Sequence, residues 1–192
     1  MEADFSIELG HDDPVLDFPW TDPAGRLTYF DLKRQPEMIA KIEEARDYPE
    51  LCEFLKNINS RRSVLESAKC DVWETTELSV EEEIYGASHR FASYVDLVFS
   101  DPELRFSLPR HEEFAKKLTE LLRHVPEISG AVEIFIRRCF FRLTDGAEVR
   151  EGCYFTLYVN GYGSDVVLAR RNWGVATRLV ENAILQLSAR TA

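Results

Sequence analysis

The period of hydrophobic and polar positions changes along this chain and divides it in two. In residues 1–34, Asp13-Pro14, Pro19, Asp22-Pro23 and Gly25 interrupt every run, which predicts an irregular arm with at most a short strand at LTYFDL. Phe5, Phe18, Trp20, Tyr29 and Phe30 make this arm too aromatic for a free tail, so we expect it to lie against the body. From Pro36 the spacing of Met38, Ile39, Ile42 and Ala45 is helical, and after Pro49 the set Leu51, Phe54, Leu55 and Ile58 repeats it. Two short helices split near Tyr48 are expected, then a polar connection, NSRRSVLESAK. The arm and these helices, residues 1–68, form the first part of what we read as one structural domain.

Residues 69–192 are more regular. Extended β-prone runs occur at 70–78, 91–99, 131–143 and 151–160. Between the second and third, Phe114, Leu118, Leu121, Leu122 and Val125 share one face of a helix over about 110–125. After the fourth, Val166, Ala169, Trp173, Ala176, Val180, Ala183 and Leu187 define a long amphipathic helix over about 164–188. The expected fold is α+β: a two-layer sandwich with a four-stranded antiparallel sheet in ββαββα order, both helices on one face, and an N-terminal helical arm. Moving the first strand to the end would give the ferredoxin-like order, so a permuted ferredoxin-like arrangement is one form of this expectation.

Asp145-Gly146 signals a two-residue hairpin turn. Such a turn pairs residues whose numbers sum to 291, so Val132, Ile134 and Ile136 oppose Val159, Leu157 and Phe155 on an apolar core face. At Phe140 opposite Glu151 the pattern misfits, and a bulge or strand end is expected there. The second face then carries Tyr94, Asp96, Glu133, Phe135, Arg137, Tyr154 and Tyr158, with Trp73 a further candidate. It is too aromatic to stand bare and too polar to be plain core. Three coverings fit: the N-terminal region, a second subunit in a homodimer, or a small-molecule ligand.

Charge narrows the partners. The 192 residues carry a formal net charge of -11, with 10 basic and 22 acidic side chains in residues 1–100 against 13 and 12 in the rest. An acidic surface repels phosphate backbones and anionic lipid, so neither nucleic acid nor membrane is an expected partner. The strand REGCYFTLY lacks the basic-aromatic pattern of an RNA-binding sheet. The acidic start and the lack of a long apolar stretch point to a cytoplasmic protein.

Catalytic signatures are weak. Cys52, Cys70, Cys139 and Cys153 are too scattered for a zinc knuckle or redox dithiol, and His11, His89, His111 and His124 form no metal-binding pair, so no metal or cofactor is expected. His11 with Asp12 and Asp13 is a poor cation site in an arm that enforces no geometry. The loop Gly161-Tyr162-Gly163-Ser164, with Arg170 a turn or more on, is a candidate anion site; its plainer reading is a turn with Ser164 capping the helix. The connection SVEEEIYGASHR, with Glu81, Glu82, Glu83 and His89, is a secondary candidate, as a lid or a contact for a basic partner; its plainer reading is a solvated charge run. The leading expectation is a binding or assembly protein that uses Tyr94, Asp96, Glu133, Arg137, Tyr154 and Tyr158 on the second face. The alternative is a small metal-independent enzyme with Asp96, Glu133 and Arg137 as its acid, base and charge clamp.

Overall fold

The computed structural model describes residues 1–22, 24–25, 28–79, 86–142 and 148–191. Six strands form one mixed sheet: β1 (Glu2–Glu8), β2 (Val15–Phe18), β3 (Leu65–Thr75), β4 (His89–Phe99), β5 (Gly130–Arg142) and β6 (Val149–Gly163). The helices are α1 (Glu43–Asp47), α2 (Pro49–Ile58), α3 (Leu108–Arg123) and α4 (Val166–Thr191), with short 3-10 turns at Pro36–Lys41 and Leu104–Phe106. The sheet order is β1-β5-β6-β4-β3, and β2 also pairs with β5, further along the same edge.

A four-stranded antiparallel sheet is therefore incorrect. β1 and β2 run parallel to β5 and cover an edge that would otherwise present unpaired backbone groups. The alternation that makes β1 a strand is present in the sequence: Ala3, Phe5 and Ile7 share one face, and Asp4, Ser6 and Glu8 the other. The expected strand at LTYFDL is absent from its described part, where Thr28 forms only an isolated bridge with Thr21; Leu27 lies outside the described residues.

The hairpin register holds. β5 and β6 pair from Gly130↔Gly161 to Arg142↔Val149 with every sum equal to 291. Phe140↔Glu151 falls within this ladder without a bulge. Asp145 and Gly146 themselves lie outside the described residues. The irregularity is instead in β3, where the register shifts between Ser67 and Lys69. Before the shift Leu65 and Ser67 oppose the core residues Phe99 and Leu97; after it Cys70 opposes Val95. The extra residue flips the parity of the strand, which sends Lys69, Asp71 and Trp73 to the second face.

One large core lies between the first sheet face and the helices. The predicted α4 stripe is buried at Ala169, Trp173, Ala176, Val180, Ala183 and Leu187. The Trp173 indole N–H donates to Ser93 Oγ on β4 at 2.9 Å, which satisfies the one polar atom of that buried ring. α2 buries Leu51, Phe54, Leu55 and Ile58 and packs on α4. β6 and α4 approach closely because of two glycines. A methyl on Gly161 would lie 2.5 Å from the Ala169 carbonyl oxygen and nearer still to the Trp173 nitrogen; one on Gly163 would lie 2.5 Å from the Ala169 nitrogen.

A second, smaller core lies on the other face of the sheet. Leu16 and Phe18 of β2 join Ala68, Val98, Cys139, Phe141 and Tyr154, with Trp20, Tyr29 and Phe106 packed around them. The Trp20 indole N–H donates to the Ala68 carbonyl at 2.6 Å. Arg105 packs on this cluster: its guanidinium is 5.3 Å from the centroids of Phe18 and Phe141, and it bonds Glu66 at 2.9 Å. The aromatic arm thus covers one end of the second face.

Candidate functional site

Beyond the arm the second face changes character. Here Trp73, Tyr94, Tyr158 and Phe135 are half-buried and follow one another across four strands. The centroids of Trp73, Tyr94 and Tyr158 lie 5.9 to 6.4 Å apart, and Phe135 meets Tyr158 edge-on at 5.7 Å. These separations are those of rings packed on each other, so the four form a continuous aromatic surface. Strand pairing alone puts them there: Tyr94 opposes Tyr158, Tyr158 opposes Glu133, and Phe135 opposes Thr156.

Asp96 lies beside the rings, two residues from Tyr94 on β4, and is only 6% exposed. One carboxylate oxygen accepts a hydrogen bond from Thr156 Oγ1 at 2.7 Å, across the β4–β6 pair. Burial pushes its pKa up to about 6, against the lowering effects of the Thr156 bond and the nearby Lys69 and Arg137 charges. Burial, helped by Asp96 and Asp71, also raises the Tyr94 hydroxyl, and burial and Asp96 raise Tyr154 to about 12. All three groups hold their protons more tightly than in water. The exposed carboxylates Asp71 and Glu133 flank the rings.

Arg137 is 9% exposed and is committed: its Nε donates to Glu8 at 2.7 Å and its guanidinium lies 4.6 Å from the Phe135 centroid. Burial works against its charge, but the bonds to Glu8 and Tyr158 outweigh this and raise its pKa. The six predicted residues thus share one face, though not one role. Tyr94, Tyr158 and Glu133 are accessible on it, Asp96 and Arg137 lie beneath its surface, and Tyr154 belongs to the cluster under the arm. Sequence reading missed Glu8, Lys69 and Asp71, and although the hairpin register placed Thr156 opposite Phe135 on this face, it did not foresee its bond to Asp96. Glu8 needed the β1–β5 pairing and Lys69 and Asp71 the β3 bulge, and neither is encoded in local alternation.

The glycine loop has another geometry. Gly161 and Gly163 are filled against the α4 backbone, and Arg170 turns to Glu50, 3.2 Å away, and to the rings of Tyr48 and Phe91. The four residues Gly161, Gly163, Ser164 and Arg170 do not converge on one space. The helix cap is Asp165, whose carboxylate accepts the Leu168 N–H at 2.9 Å, rather than Ser164. Glu81, Glu82 and Glu83 lie outside the described residues. All four cysteines are free thiols. Burial raises the pKa of Cys139, Cys153 and Cys70, the last to about 12, which leaves them as thiols rather than nucleophilic thiolates. Among the described residues no group of three or more His, Cys, Asp or Glu side chains is placed to hold a metal ion. Among those residues, too, no helix is long and apolar enough to cross a membrane. No family model, curated protein or solved structure matches the chain.

Proposed function

We propose that this is a binding protein whose second sheet face receives a ligand or partner group that is cationic and flanked by a flat or apolar body. One observation carries this reading: a half-buried row of four aromatic rings runs beside a buried carboxylate whose pKa is near 6. Burying a carboxylate without a directly bonded cation destabilises a fold, and costs of this kind concentrate where a ligand is bound. A cation over the rings would gain from their electron-rich faces and from Asp96, Asp71 and Glu133 together.

Charge also bears on the assembly version of this reading. A symmetric dimer through this face would bring the Asp71 and Glu133 carboxylates of both copies together, so an unlike, positively charged occupant is favoured. The enzymatic alternative draws support from the Asp96 pKa of about 6, which suits proton transfer near neutral pH. Against it, Arg137 is held by Glu8 and one Asp96 oxygen by Thr156, so the proposed charge clamp is already occupied. We further infer that β3 to β6 with α3 and α4 are a permuted ferredoxin-like unit. In support, β6 lies between β4 and β5, and moving β3 to the end of the chain yields the order βαββαβ.

The test is fluorescence titration with benzyltrimethylammonium and N-acetyl-arginine amide. Of the three tryptophans, Trp20 and Trp173 pack in the two cores, so quenching that vanishes in Trp73→Phe reports occupancy of the face. Saturable quenching weakened in Asp96→Asn supports the reading. No saturable change with either probe at millimolar concentration and low salt rejects it.

A further inference from the structure

We propose that a second site, a cavity of about 480 Å³ beside the C-terminal end of α2, binds a small organic polyanion: a multiply charged oxyanion joined to an apolar group. Its floor is apolar, formed by Leu32, Ile39 and Leu55. Its rim is cationic, formed by Lys33 and Arg34 from the arm and Lys56 and Arg61 from the end of α2 and the turn after it. No acidic side chain lines it among the described residues, although the chain as a whole carries a net charge of -11. A volume of this size falls within the usual range for small-molecule pockets.

Four arginines elsewhere in the molecule are paired across elements: Arg105 with Glu66, Arg137 with Glu8, Arg170 with Glu50, and Arg123 with Asp4. The four cations of the cavity form no such cross-element ion pair among the described residues. Lys56 and Arg61 are exposed and form no ion pair among the described residues, and Arg34 meets its sequence neighbour Asp31, through Nε at 3.6 Å. Lys33 is the anchor. Two of its three N–H donors go to the carbonyls of Ser60 and Ser63, at 3.0 and 2.7 Å, and one is left for another acceptor. Burial lowers its pKa although Glu66 and Asp31 draw it back in part, and a bound anion would offset what remains. The dipole at the end of α2 accounts for a cation such as Lys56 in the last turn, but not for four cations drawn from two separate segments. Several cations around one space suit several negative charges, and guanidinium groups match oxyanions in bidentate fashion.

The experiment is isothermal titration of the full chain with pyrophosphate, citrate and ATP in low salt. The controls are adenosine as an uncharged probe and two double variants. Lys56→Glu with Arg61→Glu reverses charge at the cavity. Arg171→Glu with Arg178→Glu makes the same change on the outer face of α4, where another shallow cavity lies. All four side chains lie outside the cores, and an unchanged melting temperature confirms folding. We expect at least one polyanion to bind, ATP more tightly than pyrophosphate because of the apolar floor, and adenosine not at all. Affinity should fall at least about tenfold in the cavity variant and stay unchanged in the α4 variant. Failure of all three polyanions to bind at about 5 mM overturns the proposal, as does equal weakening in both variants. Neither outcome bears on the aromatic face, whose probes are cations.

Discussion

Asp96 is the residue whose chemistry departs furthest from what its neighbours on β4 would suggest. Its folded pKa of about 6 lies above the unfolded value of 3.8. The protonated form therefore favours folding: its stabilising effect is complete below about pH 4 and lost as pH rises through 6. At pH 8 the buried carboxylate is charged and costs up to about 3 kcal/mol, because each tenfold change in proton affinity corresponds to about 1.4 kcal/mol. Asp96→Asn keeps an acceptor for Thr156 and removes that charge. It should raise the urea midpoint at pH 8 and have little effect at pH 4. His111 slopes the other way. It is fully buried against Phe99 and Phe155, and burial lowers its pKa although the Ser107 and Cys153 carbonyls draw it back. Its folded pKa is below the unfolded one, so stability falls as pH drops below about 6.5. In Asp96→Asn, where the opposing titration is gone, acidification from pH 7 to 5 should therefore lower the midpoint more steeply than in the parent.

Elements are joined where side chains are missing as much as where they interlock. Gly161 lets β6 lie against the α4 backbone, and the atoms a methyl would meet there, Ala169 O and Trp173 N, belong to a helix fixed by its own buried stripe. Neither can yield cheaply. Gly161→Ala should cost at least about 3 kcal/mol in denaturant unfolding, near the upper end for a single added methyl. The aromatic arm is the other joint. Phe18 is 6% exposed, with Tyr29 at 4.8 Å, Phe141 at 5.7 Å and the Arg105 guanidinium over its ring. Phe18→Ala should cost about 3–5 kcal/mol. Because this cluster lies beside the half-buried row of rings and not among them, the folded variant should keep its Trp73 response to cationic probes.

For the molecule as a whole, charge separates two surfaces of opposite taste. The aromatic face carries Asp71, Glu133 and the Asp96 carboxyl with the exposed cation Lys69 beside Asp96, while the α2 cavity gathers Lys33, Arg34, Lys56 and Arg61. Binding of a cation to the face should strengthen as pH rises through about 6, where Asp96 ionises, and weaken with added salt. The pH step should disappear in Asp96→Asn while the salt dependence persists. A titration of benzyltrimethylammonium at pH 5, 6 and 7 in two salt concentrations reads both effects.

Local pattern by itself determined the α+β class, α2, α3 and α4, the last four strands apart from the start of β3, the register of the β5–β6 hairpin and which side chains of β4, β5 and β6 face away from the core. Each depends on a period or a turn that neighbouring residues set, and a sheet with one buried face tolerates no slip of one residue. Tertiary structure decided the rest. The alternation of Ala3, Phe5 and Ile7 could be seen, but seven residues do not say that they will pair in parallel with a segment 129 positions along, Glu2 beside Ala131. The bulge in β3 reversed a parity that strict alternation would have carried through, and so placed Trp73 and Lys69 beside Tyr94 and Asp96. Only the β4–β6 pairing put Thr156 against Asp96, and only the return of the arm over α2 brought Lys33 and Arg34 to Lys56 and Arg61. Such meetings between distant segments are settled by burial and backbone pairing summed over the whole chain, and no short stretch of it carries that sum.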